Sequence, residues 1–219
     1  MVNIETIKGI IFDLDGVLLS TDQYHYAAWK ELADELGIPF CEKDNEAFRG
    51  VSRMDCMEIL LSKSRDLKLT EAEKIAYADQ KNQRYRSLLE HMTPSFVAEE
   101  VRQTLLTLKK AGYRLAVGSS SKNSRFILQK TELVDYFDAI VDGNDIERSK
   151  PDPEVFVKAA VALGVAPSQS IVVEDADAGL LAATRGGMLP AAMGEAKKNP
   201  LAQLTLDSLG DLVKILIKE

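Results

Sequence analysis

The chain has 219 residues, 46% hydrophobic and 28% charged, with a formal net charge of −7. Such a chain can fill one large core or two small ones and is too apolar to stay disordered, while its acidic balance excludes a surface built to coat nucleic acid or anionic lipid. No run reaches the roughly 18 apolar residues of a membrane span and the N-terminus lacks a signal pattern. Two cysteines, Cys41 and Cys56, are too few for a disulfide framework, so the expected setting is the cytoplasm and both thiols are expected to be buried.

The first predicted element is Gly9-Ile10-Ile11-Phe12, a short continuous apolar run typical of a parallel strand buried on both faces, ending abruptly in Asp13-Leu14-Asp15-Gly16. From Asp22 to about Met92 the pattern changes to long charged segments with apolar residues at helical spacing, which predicts a helical insertion. Its first helix carries Trp29, Leu32 and Leu36 on one stripe, with His25 one turn before Trp29, and Gly37 followed by Pro39 stops it. After Pro94 short apolar runs return at Tyr113–Val117, Ala139–Val141, Ile171–Val173 and Pro190–Met193, separated by helix-length segments or loops. The expected fold is α/β, a Rossmann-like parallel sheet core flanked by helices over residues 1–19 and 96–219, with an all-helical cap inserted over 20–95. The crossings near 19–22 and 92–96 are the natural hinges.

Four motifs in this order carry chemistry. Asp13 and Asp15 follow the first strand, at the carboxyl edge where open α/β sheets hold ligands, although Asp-Gly here reads equally well as a turn. Ser119-Ser120-Ser121-Lys122 follows the second strand, so hydroxyls, N–H groups and a helix start can face a phosphate; a simple helix cap fits too. Lys150, between Ser149 and the Pro151-Asp152-Pro153 run, is an ammonium on a stiffened loop, and taken alone reads as a surface lysine. Glu174-Asp175 ends another strand, placing a second acidic pair at the same edge. Carboxylates gathered in a cleft repel and protonate unless a cation offsets them, and hard oxygen donors favour Mg²⁺ over zinc, for which neither histidine has a spaced partner.

In order and spacing these residues resemble the haloacid dehalogenase superfamily over essentially the whole chain. The resemblance implies that Asp13 is the nucleophile, Asp15 the general acid/base, and Ser119 and Lys150 phosphate ligands. It also implies Mg²⁺ held by Asp13, the Asp15 carbonyl and Asp175, with Glu174 bound directly or through water. Within the superfamily the insertion resembles the β-phosphoglucomutase family through Thr21, His25 with Trp29, Arg49-Gly50-Val51-Ser52-Arg53, and Lys81-Asn82 followed by Tyr85. On the core, Ser121, Lys122 and Asn123 match a Ser-X-Ser-Lys-Asn segment, with Ser120 beside them. Arg49 stands where lysine is expected, keeping the charge.

That family implies interconversion of β-glucose 1-phosphate and glucose 6-phosphate through phosphorylated Asp13 and glucose 1,6-bisphosphate, with Arg53 as the candidate for the second phosphate. Each insertion residue also has a plainer reading: Trp29 as core, His25 as a cap or buried partner, Arg53 and Lys81 as solvated charges. His91 reads as structural. A Mg²⁺-dependent sugar phosphatase and a non-catalytic sugar-phosphate-binding protein are the competing functions. The expected partner is a small sugar phosphate, with no nucleic acid or membrane, and the expected state is a monomer.

Overall fold

The structure is a computed structural model and describes residues 4–48, 51–64 and 66–217. In chain order, β1 (Gly9–Phe12) is followed by helices α1 (Asp22–Glu35), α2 (Glu42–Glu46), α3 (Arg53–Leu61) and α4 (Glu71–Leu89). Then come α5 (Glu99–Lys110), β2 (Arg114–Gly118), α6 (Ser124–Lys130), β3 (Ala139–Val141) and α7 (Glu154–Leu163). The chain finishes with β4 (Ser170–Glu174), α8 (Asp177–Arg185), β5 (Leu189–Ala192), β6 (Leu204–Thr205) and α9 (Asp211–Leu216). Two compact units result: residues 1–20 with 93–219, and residues 21–92.

The first unit is a six-stranded parallel sheet in the order β3-β2-β1-β4-β5-β6, flanked by helices. β1 lies between β2 and β4 and is fully buried, which is why its sequence is an unbroken apolar run and not an alternating one. Ile11, Ala116 and Val172 share one face with Val155, Phe156 and Ala159 of α7 and Ala182 and Ala183 of α8. The register pairs Phe12 with Val117 on one side and Val173 on the other, so the next residues, Asp13, Gly118 and Glu174, come level at the carboxyl edge. β5 lies one residue earlier than the expected Pro190–Met193, and the unexpected strand is β6, whose two residues are too few to leave an apolar pattern.

The second unit is helical, with a core of Trp29, Leu32, Phe40, Phe48, Met57 and Leu60 among others. Gly37, in the left-handed region at φ 67°, turns the chain out of α1 where the sequence predicts a stop. Cys56 is buried, and burial pushes its thiol up to about 12. Cys41 corrects the expectation of two buried thiols: it is exposed, because it sits at the N-cap of α2, where the Asp44 carboxylate accepts its N–H at 2.9 Å. The unit boundary at residue 93 leaves Pro94–Phe96 with the sheet, where Arg102 of α5 donates to the Pro94 carbonyl at 2.9 Å. No helix among the described residues is long and apolar enough to cross a membrane.

Candidate active site

At the carboxyl edge of the sheet, Asp13 is 7% exposed and its N–H donates to the Val173 carbonyl at 3.0 Å, continuing the β1–β4 ladder by one residue. Lys150 is buried, with its ammonium 2.5 Å from Asp13 Oδ1 and also donating to Glu174 Oε1. The same ammonium lies 4.6 Å from the centre of the Phe156 ring. That ring comes so near because β2 ends in Gly118, where a Cβ would stand 2.8 Å from it. Burial pulls the Lys150 ammonium down, but the Asp13 and Glu174 charges outweigh it and hold the group protonated well above the ordinary lysine range.

Glu174 has both oxygens committed, Oε1 to Lys150 and Oε2 to the N–H groups of Asp175 and Ala176, each at 3.0 Å. Burial is the largest influence on it and pushes its carboxyl up to about 7, with Lys150 opposing and Asp13 reinforcing the shift. Two glycines make room for the acidic groups. A Cβ on Gly179 would stand 1.9 Å from Glu174 Oε1, and one on Gly16, at φ 84°, would stand 1.9 Å from Asp175 Oδ2. Asp15 is partly buried in the loop between these points, paired through its backbone with Leu19 while the Gly16 N–H donates to the Leu19 carbonyl at 2.7 Å.

Asp13, Glu174 and Asp175 bring carboxylate oxygens within 4.8 Å of one another, and Asp15's side chain is not one of this set. Lys150 pairs with Asp13 and Glu174, and Asp175 adds a third carboxylate to the same largely buried place. An all-oxygen set of this kind fits a hard divalent cation such as Mg²⁺.

Ser119 is buried one residue beyond β2; its N–H donates to the Val141 carbonyl at 3.1 Å and its Oγ accepts the Ser121 N–H at 3.2 Å. Ser120 Oγ accepts the Lys150 N–H at 3.4 Å, which joins the serine loop to the lysine loop. Ser121 Oγ accepts the N–H of buried Asn123 at 3.3 Å, and Lys122 is exposed. Gly143 lets the loop after β3 press on this segment, since a Cβ there would meet the Ser120 carbonyl at 2.3 Å.

In the helical unit the predicted residues form a second group. Lys81, 3% exposed, places its ammonium 2.9 Å from His25 Nδ1, 4.7 Å from the centre of the Trp29 ring and 4.9 Å from that of Tyr85. Burial first, then the charges of Lys81 and Arg53, hold the His25 imidazole well below the ordinary histidine range. Thr21 is buried with its hydroxyl 2.8 Å from the Tyr85 phenol. Trp29 is 2% exposed and sits edge-on to Phe48 in the helical core, so the plainer reading of it describes its position; its link to the group is the Lys81 ammonium on its face. Arg53, the first residue of α3, pairs with Asp79 at 3.0 Å, a partner 26 residues away that no spacing rule indicates. Val51 is partly buried against the helical core. Arg49 and Gly50 lie outside the described residues.

The model of the haloacid dehalogenase-like hydrolases matches residues 7–187. The chain belongs to the haloacid dehalogenase superfamily. It is 36% identical to the β-phosphoglucomutase of Bacillus subtilis, over 97% of this chain and 95% of that protein. The crystal structure of β-phosphoglucomutase from Clostridium difficile matches with a TM-score of 0.86 at 34% identity, over 94% of this chain and 93% of that one. Superfamily members with another activity are similar as well: the fructose-1-phosphate phosphatase YqaB of Escherichia coli is 30% identical over 84% of this chain and 95% of its own length. By sequence the chain therefore falls in the β-phosphoglucomutase family of an enzyme superfamily that includes phosphatases.

Proposed function

We propose that this protein is a β-phosphoglucomutase that interconverts β-D-glucose 1-phosphate and glucose 6-phosphate. The observation that carries the reading is the 36% identity to the Bacillus subtilis enzyme, which runs through the helical insertion as well as the sheet. In the proposed reaction an Asp13 carboxylate oxygen attacks phosphorus in line, the bond from phosphorus to the sugar oxygen breaks, and Asp15 gives that oxygen a proton. β-Glucose 1,6-bisphosphate links the two halves: the 6-hydroxyl of β-glucose 1-phosphate takes the phosphoryl group from Asp13 and gives its proton to Asp15, and the C1 phosphate of the resulting bisphosphate then passes to Asp13 as glucose 6-phosphate leaves with that proton. Lys150 remains charged beside Asp13 and faces the transferring phosphoryl oxygens, with Ser119 completing their cradle. Asp13, the Asp15 carbonyl and Asp175 would hold Mg²⁺, with Glu174 bracing the set, and the ion would supply positive charge against the phosphoryl oxygens.

The insertion is the specificity domain in this reading. A bisphosphate needs a second anion site away from Asp13, and the Lys81–His25 pair with Arg53 supplies positive charge in the helical unit. In this reading Thr21, Arg49, Gly50 and Val51 are the further sugar-binding candidates of the insertion, and Ser120, Ser121, Lys122 and Asn123 are those of the sheet unit. Similarity to a fructose-1-phosphate phosphatase favours one alternative, in which water receives the phosphoryl group from Asp13. Product analysis from each anomer of glucose 1-phosphate tests the choice: glucose 6-phosphate from the β anomer is expected, and free glucose alone overturns it.

A further inference from the structure

Thr21 is the N-cap of α1, yet its side chain makes no cap hydrogen bond. A threonine there ordinarily accepts a backbone N–H of the first turn. Its hydroxyl instead meets the Tyr85 phenol, 64 residues further along the chain. Tyr85 is 1% exposed and lies one helical turn after Lys81, on the same face of α4. Its ring stands 4.0 Å, centre to centre, from that of His25 and 4.9 Å from the Lys81 ammonium. One buried side chain thus touches the first residue of the helical unit, an imidazole and a cation.

We infer that Tyr85 is a positioning residue, whose ring aligns His25 with Lys81 and whose hydroxyl pins the start of α1. The inference rests on the proposed reading of the helical unit as the part that recognises the sugar phosphate. Among the described residues, the charged groups that act on His25 are Lys81 from α4 and Arg53 from α3, and with burial they keep the imidazole neutral. An ammonium has only donors, so Nδ1 of neutral His25 accepts from Lys81 and the ring proton resides on Nε2. Nε2–H is then a donor aimed by the ring's orientation, and the ring's orientation is set by Tyr85.

The test uses the full-length Tyr85→Phe and Tyr85→Ala variants, with imidazole ¹⁵N spectra recorded across pH and exposed His91 as the reference signal in the same sample. The wild type and Tyr85→Phe are expected to show neutral His25 as the Nε2–H tautomer. Tyr85→Ala is expected to mix the tautomers and raise the His25 midpoint by about one unit or more, toward the ordinary value of about 6.5. In isomerisation assays, Tyr85→Phe is expected to lose about threefold or more in kcat with KM little changed, because Thr21 is released while the ring stays. A folded Tyr85→Ala protein with the wild-type tautomer and midpoint overturns the role of the ring. A Tyr85→Phe kcat within about twofold of wild type overturns that of the hydroxyl, and decides alone if the alanine variant does not fold. The spectra need no turnover, so a wild type that fails to isomerise would refute the proposed function and leave the Tyr85 result standing by itself.

Discussion

Lys150 Nζ lies 2.5 Å from Asp13 Oδ1, although 137 residues separate the two in the chain. The contact exists because β1 and β4 are neighbours and the lysine loop precedes α7, whose Phe156 lies beneath the ammonium. Removing the ammonium would leave Asp13 and Glu174 facing each other in a buried place. Lys150→Met is therefore expected to lower the stability of the metal-free protein by about 3–5 kcal/mol, read by urea denaturation in chelator. Wild-type stability in that variant would show that the buried charges are compensated elsewhere.

The two aspartates of the first loop are expected to fail differently. Asp13→Asn should fold normally but form no phosphoenzyme, since an amide oxygen cannot serve as the attacking carboxylate. Asp15→Asn should still bind Mg²⁺ through its backbone carbonyl while losing typically 10²–10⁴-fold in rate. Metal titration beside single-turnover kinetics separates these outcomes, and loss of metal binding by Asp15→Asn would contradict its acid/base role.

Gly179→Ala tests how tightly the acidic set is built. Alanine is the better helix former, yet its Cβ would stand 1.9 Å from Glu174 Oε1, and that carboxylate cannot move without giving up Lys150 and two N–H donors. The variant is expected to lose about 1–3 kcal/mol by overpacking, and to bind Mg²⁺ more weakly. Isothermal titration with unchanged affinity would show that Glu174 has no part in shaping the metal site.

Much of this site was legible in the sequence, and the gaps have physical causes. An apolar run closed by Asp13-Leu14-Asp15-Gly16 announces a buried strand and a carboxylate at its end, and the glycine is needed because Asp175 occupies the space of its Cβ. The strand ends already place Asp13 and Glu174 at one sheet edge, but strand order is not written in any local pattern, so nothing local says that Lys150 comes between the two carboxylates. Trp29 reads identically whether its ring faces core or ligand, because both place it on an apolar stripe. Cys41 shows the limit of composition: a residue type that is usually buried is exposed where it starts a short helix. Tyr85 did leave a signal, the four-residue spacing from Lys81, but only the fold brings Thr21 and His25 to it.

His25 gives the protein a pH dependence of definite sign. Its folded-state pKa is lowered, so the folded protein binds fewer protons than the unfolded chain once the pH is below the unfolded value of about 6.5. The stabilisation is present above that value and is lost as the pH falls from it toward the folded pKa. Thermal melting of wild type and His25→Gln at stepped pH values between 7.5 and 5 (roughly the window histidine spans) should show the wild type losing ground to the variant as acidity rises. Parallel curves would mean that His25 titrates alike in both states.

The most direct measurement follows glucose 1-phosphate of each anomer with Mg²⁺ present, after priming with a trace of glucose 1,6-bisphosphate, while glucose 6-phosphate and free phosphate are quantified together. The expected result is glucose 6-phosphate from the β anomer only, stimulated by the bisphosphate, which can charge Asp13 directly. Free phosphate and glucose from the β anomer, with no glucose 6-phosphate even after priming, would contradict the mutase assignment and leave a sugar-phosphate phosphatase in its place.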